Sequence, residues 1–229
     1  MGKILTTQEK VIKHGSKDIV IHDFFEKRKC ILLFGPPFSG KHNILSRSIK
    51  ESLTKKTAML FIITDLSPDE HFKLLFNKNG SSVRSQINYI DCYSNHTADP
   101  EDDKQRIRRV TGPAALSEIS IAISERIDAI KNEDFDSLVI VFDSLSTILL
   151  YVALPDVTRF LQAILRKIKD TATNIFFLME EGMHDENSDV SIKHLVEHII
   201  FTKKTGNTIY FKTSGKDNQW TKLSIDQAP

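Results

Sequence analysis

Residues 35–41 have the composition and spacing of a phosphate-binding loop. The segment GPPFSGK fits the pattern G-x-x-x-x-G-K, with an apolar run before it and apolar residues at helical period after it. In such a loop, glycines let backbone N–H groups turn toward a phosphate, and the lysine adds a cation. An incidental turn is the alternative. The predicted binding residues are Gly35, Pro36, Pro37, Phe38, Ser39, Gly40, Lys41, His42 and Asn43.

His42 stands at the eighth position of the loop, where the pattern expects Ser or Thr. The hydroxyl at that position ligates Mg²⁺, a hard cation that prefers oxygen ligands, so imidazole is a poor substitute. Two readings remain open at this point. ATP binds with water in the vacant magnesium position, or the loop binds nucleotide weakly or not at all. The sequence thus predicts ATP as cofactor and leaves Mg²⁺ doubtful.

Asp143 is a second candidate for phosphate chemistry. It follows the apolar run at residues 138–142, which is typical of a buried parallel strand. Ligands collect at the carboxyl ends of parallel strands, and an aspartate there can hold Mg²⁺ through a water molecule. The alternative is that Asp143 caps the following helix, as Ser144 or Ser146 could also do.

Apolar runs and turn residues predict the elements that would position these side chains. Chemistry-bearing loops of this kind lie between strands and helices that alternate along the chain. Buried strands are predicted at residues 30–34, 58–63, 87–93, 138–142 and 174–179, and helices at 44–53, 68–77, from 113 onward, and at 155–169. Residues 197–202, 208–213 and 220–225 are predicted as antiparallel strands, because their connections are too short for crossovers.

The remaining segments are predicted as connections or as an appendage. Residues 95–109 are polar and highly charged, which is typical of a loop. Residues 1–23 are expected to form an N-terminal arm with one short strand at 19–21, and residues 24–229 a single domain. The length of 229 residues suits one large α/β domain.

Composition limits the function classes. A formal net charge of +1 gives no argument for nucleic acid or an anionic membrane. Cys30 and Cys92 lie in apolar runs without a metal-binding spacing, so buried, reduced thiols are expected. Neither a signal peptide nor a membrane helix is indicated, and we expect a cytoplasmic protein.

Five segments, taken together, resemble the KaiC-like branch of the RecA superfamily of P-loop ATPases. They are GPPFSGKH, AMLFIITDLSPDE, VTGPAALSEISIAISERIDAI, VIVFDSLST and IYFKTSGK, and the resemblance spans residues 30–225. It implies an α/β, RecA-like P-loop fold. In that fold a mostly parallel central sheet is flanked by helices and ends in an antiparallel C-terminal edge. It also implies ATP binding, with homo-oligomers that place ATP between subunits.

The resemblance also assigns roles to individual residues. Lys41 matches the phosphate-binding lysine, and Asp143 the aspartate of the second motif. Asp65 stands where the family has a pair of glutamates, one of which activates water; a simple turn residue is the alternative. Lys212 matches the lysine of a Lys-x-Arg pair that acts on the neighbouring subunit's nucleotide, but Ser214 replaces the arginine. Loss of an arginine finger costs roughly 10³–10⁵ in rate.

Other charged groups give weaker indications. The pair Glu180-Glu181 follows the last predicted parallel strand, where it could sense phosphate or simply begin a helix. Basic clusters at residues 27–29 and 106–109 are expected to be solvated faces, and a cluster with His184, His194 and His198 a surface feature without a zinc pattern.

Three functions remain open on the sequence. The first is an ATP-binding regulatory or signalling protein with weak or absent hydrolysis, acting through self-assembly or a protein partner. The second is an active oligomeric ATPase, with Asp65 as base and Lys212 supplied in trans. The third is a RecA-fold module that binds protein or DNA instead of nucleotide.

Overall fold

A nine-stranded sheet with helices on both faces forms the described part of the chain. The computed structural model describes residues 30–52, 56–76, 83–94, 106–169, 173–215 and 219–223. The predicted N-terminal arm, its strand at 19–21 and the basic cluster at 27–29 lie outside these residues. None of the helices within them is long and apolar enough to cross a membrane.

The strands follow the order β4-β3-β2-β5-β6-β1-β7-β8-β9 across the sheet. Neighbours from β4 to β7 are parallel, whereas β7–β8 and β8–β9 are antiparallel. The strands are β1 Cys30–Gly35, β2 Thr57–Ile63, β3 Ile87–Asp91, β4 Ile107–Arg109, β5 Ser137–Asp143, β6 Thr173–Glu180, β7 His198–Thr205, β8 Thr208–Thr213 and β9 Thr221–Lys222.

Within the described residues, six helices cover the two faces of the sheet. Their bounds are α1 Lys41–Ser52, α2 Pro68–Phe76, α3 Leu116–Lys131, α4 Leu145–Tyr151, α5 Leu154–Ile168 and α6 Glu186–Leu195. Buried residues of α1 and α2 pack with alternate residues of the strands on one face, and those of α3 to α6 pack on the other. Every residue of β1 and β2 is buried, as expected for strands covered on both faces.

The fold class predicted from the sequence is confirmed. All five predicted parallel strands are present, and the C-terminal edge is antiparallel. Such a sheet brings the ends of β1, β2, β5 and β6 to one edge, because these strands run in the same direction. The phosphate loop, Asp65, Asp143 and Glu180 therefore lie at the same edge.

Several boundaries predicted from the sequence are wrong. Residues 107–109, predicted as part of a loop, form β4, because they pair with β3 and Arg109 reaches Asp91. The helix predicted from Pro113 begins only at Leu116, because a turn bonds the Ala115 amide to the Gly112 carbonyl. Helices α4 and α6, which the sequence offered only as alternatives without bounds, are short, with seven and ten residues.

Both cysteines are free and buried, in agreement with the prediction. Burial raises the pKa of each thiol, Cys30 and Cys92, to about 12. Because the thiolate is the reactive form, both should resist alkylation in the folded protein.

We expect neither cysteine to react with iodoacetamide at about pH 8 in the native state, because each thiol is buried and protonated. Mass spectrometry of the alkylated protein measures this. Guanidinium-unfolded protein is the control and should take up two labels. Stoichiometric labelling of the native protein would contradict the buried placement.

Candidate functional site

The ammonium group of Lys41 lies inside the phosphate loop and is fully occupied by protein oxygens. Its Nζ donates to the carbonyl oxygens of Gly35 at 2.9 Å and Pro36 at 2.8 Å, with Ser39 Oγ at 3.3 Å. The fourth partner is Glu180 Oε2, 2.7 Å away at the end of β6. Only 3 % of the Lys41 side chain is exposed. The loop thus holds its lysine on its own backbone.

The loop itself is fixed against the strand β7. The Ser39 hydroxyl lies 2.5 Å from that of Thr202, and a Cβ at Gly35 would overlap the Thr202 carbonyl oxygen. Gly40 adopts a φ of 93°, and a Cβ there would lie 2.6 Å from Ile209 Cδ1. Both glycines are therefore required by close approach, and Gly40 also by its backbone conformation.

Phe38 forms the tip of the loop. Its side chain is 93 % exposed, and its φ of 59° lies in the left-handed region, which is uncommon for a residue other than glycine. The ring therefore does not fill the space beside Lys41. The loop's own carbonyl groups do so instead.

His42 and Asp143 bind each other at the position where magnesium would be expected. His42 Nε2 lies 2.8 Å from Asp143 Oδ2. His42 is half-buried on the first turn of α1, and Asp143 is buried at the end of β5. The imidazole of His42 thus hydrogen-bonds the carboxylate that the sequence predicted to hold magnesium through a water molecule.

His71 completes this cluster, and sequence reasoning missed it. This residue of α2 is 1 % exposed, and its Nε2 lies 3.1 Å from the same oxygen of Asp143. Its Nδ1 lies 3.3 Å from the Tyr89 hydroxyl. With Nε2 donating to Asp143, Nδ1 can accept a hydrogen bond from the Tyr89 hydroxyl. The one available signal was a polar residue on the apolar face of α2.

The cluster shifts the ionisation of its members. Burial opposes the charged carboxylate, but hydrogen bonds from His42 and His71 hold the Asp143 pKa well below its usual range. Burial lowers the pKa of His42, yet the hydrogen bond and negative charge of Asp143 outweigh it and leave that pKa raised. At Lys41, burial outweighs Glu180 and lowers the ammonium pKa. The cluster favours an imidazolium–carboxylate pair.

Asp65 lies at the same edge but apart from this cluster. Its Oδ1 accepts hydrogen bonds from Thr147 at 2.5 Å and from Thr64 at 3.0 Å. The residue is exposed in an open cleft of about 820 Å³ that Tyr93 and Tyr151 also line. The role of Asp65 as a catalytic base stays a prediction.

Lys212 lies on β8, where its ammonium contacts aromatic rings of its own chain. The Nζ is 5.1 Å from the Phe201 ring centroid and 5.2 Å from that of Trp220. The suggested action of Lys212 on a neighbouring subunit stays a prediction.

The other charged groups are held by nearby side chains or lack a metal-binding arrangement. Arg106, Arg108 and Arg109 lie 3.1–3.6 Å from Glu133, Glu125 and Asp91. These arginines are therefore paired rather than a simple solvated face. Across the described ranges, no group of three or more His, Cys, Asp or Glu side chains could hold a metal ion, which includes the histidines near residue 184.

The residues present fit a phosphate but do not fit magnesium. The first amides of α1 have no partner within the helix, and they face the loop beside Lys41. A phosphate could therefore bind once the Lys41 ammonium leaves the carbonyls of Gly35 and Pro36. Around Asp143, however, the donors are two imidazole nitrogens, whereas Mg²⁺ demands oxygen.

Replacement of Gly35 by alanine should destabilise the protein by about 1–3 kcal/mol, because the new Cβ would force Thr202 away. Gly112→Ala is the matched control, since a Cβ at Gly112 has nothing within 4 Å. Urea denaturation of both variants and of wild type measures the free energy of unfolding. Equal stability of the two variants would contradict the close contact between β1 and β7.

The contribution of His42 to stability should fall as pH rises. Its folded-state pKa is raised above 6.5, so the stabilisation is full below that value and is lost through the folded-state pKa. We expect the difference in Tm between wild type and His42→Gln to be larger at about pH 5.5 than at about pH 9. In an Asp143→Asn background this pH dependence should disappear. A difference in Tm that stays the same at both pH values would show that Asp143 does not raise the pKa of His42.

Comparisons with known proteins agree with this architecture. Among solved structures, the uncharacterized protein PH0321 from Pyrococcus horikoshii, crystallised in complex with an unknown peptide, has a TM-score of 0.59 and 14 % identity. The alignment covers 86 % of this chain and 93 % of that one. At this identity the likeness shows the fold alone.

Sequence comparison adds a family. No curated protein matches the chain. A family of unknown function, DUF7504, matches residues 29–200, which is more than half of the sequence. The chain therefore belongs to the family of unknown function DUF7504.

Proposed function

We propose that this protein is a KaiC-like, RecA-fold regulatory domain that binds ATP without magnesium and hydrolyses it slowly or not at all. The observation that carries the proposal is the 2.8 Å contact between His42 and Asp143. The imidazole and the carboxylate lie beside the loop, at the position where P-loop ATPases bring a hydroxyl, a metal ion and an aspartate together.

Binding is supported by what the loop retains. The backbone turn, the helix start of α1 and the Lys41 ammonium are the parts that cradle phosphates, and all three are present. His42 lies at the start of the helix, and Asp143 raises the pKa of its imidazole. Phosphate oxygens would therefore meet the Lys41 ammonium and the His42 imidazole rather than a divalent cation.

A conformational step must precede binding. The Lys41 ammonium has to exchange the carbonyls of Gly35 and Pro36 for phosphate oxygens. The apparent affinity is reduced by the fraction of molecules in which the loop is open. Slow turnover is supported by Ser214, which stands where the Lys-x-Arg pair has its arginine, and by the hydrogen bond from His42 to the carboxylate of Asp143.

Isothermal titration calorimetry with ATP, in magnesium and in EDTA, tests this proposal. We expect equal affinity in both conditions, because His42 replaces the hydroxyl that ligates magnesium and hydrogen-bonds the carboxylate of Asp143. Lys41→Met should abolish binding, and Lys50→Met, an exposed lysine on the same helix, should not. The rate of phosphate release from ATP by the wild-type protein should equal the rate measured with Lys41→Met.

One substitution separates this proposal from an ordinary P-loop. His42→Thr restores the hydroxyl and releases Asp143, so ATP binding by that variant should become stronger in magnesium than in EDTA. Binding by wild type that requires magnesium, or no ATP binding in either condition, would refute the proposal.

The second candidate function is binding of a peptide or protein in place of nucleotide. It is favoured by the four oxygen partners of Lys41, which satisfy the ammonium without any phosphate. PH0321, of similar fold, was crystallised with an unknown peptide. In this chain the open cleft beside Asp65 and Tyr151 offers space for one. Absence of ATP binding together with selection of a peptide consensus that Tyr151→Ala abolishes would support it.

A further inference from the structure

Lysine and aromatic side chains alternate across the three antiparallel strands at the C-terminal edge. Lys203 lies opposite Tyr210, which lies opposite Lys222, in one row across β7, β8 and β9. In the next row Phe201 lies opposite Lys212, with Trp220 two residues before Lys222. We name this surface the lysine–aromatic face; it consists of Phe201, Lys203, Tyr210, Lys212, Trp220 and Lys222.

The alternation of the strands places these six residues on the face opposite α1, where Phe201 also packs against the edge of the core beside Phe34. The residues next to them in sequence are buried in the core on the face of the sheet that α1 covers. They include Ile200, Ile209, Phe211 and Leu223. Side chains that alternate with a buried set project from the opposite face of a sheet. Each of the six keeps at least part of its surface accessible to solvent.

Contacts between the charges and the rings order this face. Lys203 Nζ lies 4.1 Å from the ring centroid of Trp220 and 5.7 Å from that of Tyr210. Lys212 Nζ also lies over Trp220, at 5.2 Å. Such cation–π contacts hold flexible lysines in place without neutralising them. Trp220 remains 38 % exposed, so part of its ring is available to a ligand.

The face is basic although the whole chain is nearly neutral. Between residues 198 and 223 the described residues include four lysines and no aspartate or glutamate; Asp217 lies outside them. Within the described ranges, no carboxylate lies within 4.0 Å of Lys203, Lys212 or Lys222. The net charge of +1 therefore conceals a local excess of positive charge.

We propose that the lysine–aromatic face binds single-stranded nucleic acid. The ammonium groups contact successive phosphates, and an unpaired base stacks on the exposed side of Trp220. A duplex keeps its bases stacked internally and cannot offer one to this ring. An acidic protein offers carboxylates to the lysines but no planar base to stack on Trp220. Binding at this face does not require that the loop binds ATP.

Fluorescence anisotropy with fluorescein-labelled oligo-dT and oligo-U of 20 nucleotides tests the proposal on the full chain. We expect both to bind, with affinity that falls as salt is raised. The triple variant Lys203→Gln, Lys212→Gln, Lys222→Gln should lower the slope of log affinity against log salt by about 2, since each phosphate contact contributes roughly 0.7. The variant Lys50→Gln, Lys73→Gln, Lys167→Gln removes equal charge from exposed positions elsewhere and should bind as wild type.

Trp220 distinguishes strand recognition from general attraction of anions. Trp220→Leu should weaken binding of oligo-dT roughly five- to hundredfold, and Trp220→Phe, which keeps an aromatic face, should weaken it less. A thermal melt confirms that each variant is folded. If wild type does not bind, if Trp220→Leu binds oligo-dT as well as Trp220→Phe does, or if poly-glutamate competes as effectively as oligo-dT, the proposal is wrong.

Discussion

The buried negative charge of Asp143 is the constraint on which the site depends. A carboxylate at the end of a central strand must be compensated, because an unpaired buried charge is strongly destabilising. Here two imidazoles from different helices, His42 and His71, supply the hydrogen bonds. The same pair fixes α1 and α2 relative to β5. A residue that elsewhere serves a metal ion has become a structural centre for three elements.

The central sheet could be predicted from the sequence because its strands are continuous apolar runs. The strand 58–63 and the strand 138–142 are buried on both faces, and their boundaries fall within one residue of those observed. Short elements escaped prediction. The strand β4 has three residues, two of them arginines, and is defined by its pairing with β3 rather than by hydrophobic pattern.

The candidate site was predictable in its parts but not in its partners. The pattern at residues 35–41 located the loop, and the apolar run before Asp143 located the carboxylate. That the two candidates contact each other through His42 depends on the strand order, which sets β6 beside β1 and β5 on the other side of β6. His71 is contributed by α2, and no spacing in the sequence connects it with Asp143. The Lys41–Glu180 ion pair likewise joins residues 139 positions apart.

The charge of the molecule shows a similar limit of composition. Totals of 31 basic and 30 acidic residues describe no particular surface. Strand pairing decides which of them share a face, so the lysines of β7, β8 and β9 come together only in three dimensions. The arginines of residues 106–109 are instead neutralised by carboxylates of α3, its following turn and β3.

Thr202 lies between the phosphate loop and the lysine–aromatic face. Its hydroxyl meets Ser39 in the phosphate loop, and its strand, β7, carries Phe201 and Lys203 one residue away on the opposite face. An occupant that displaced the loop would also shift the hydroxyl partner of β7. Coupling of this kind is reciprocal: if a ligand at the loop changes the affinity of the edge, a ligand at the edge changes that of the loop by the same factor. The hydrogen bond between Thr202 and Ser39 would then couple binding at the loop to binding at the edge.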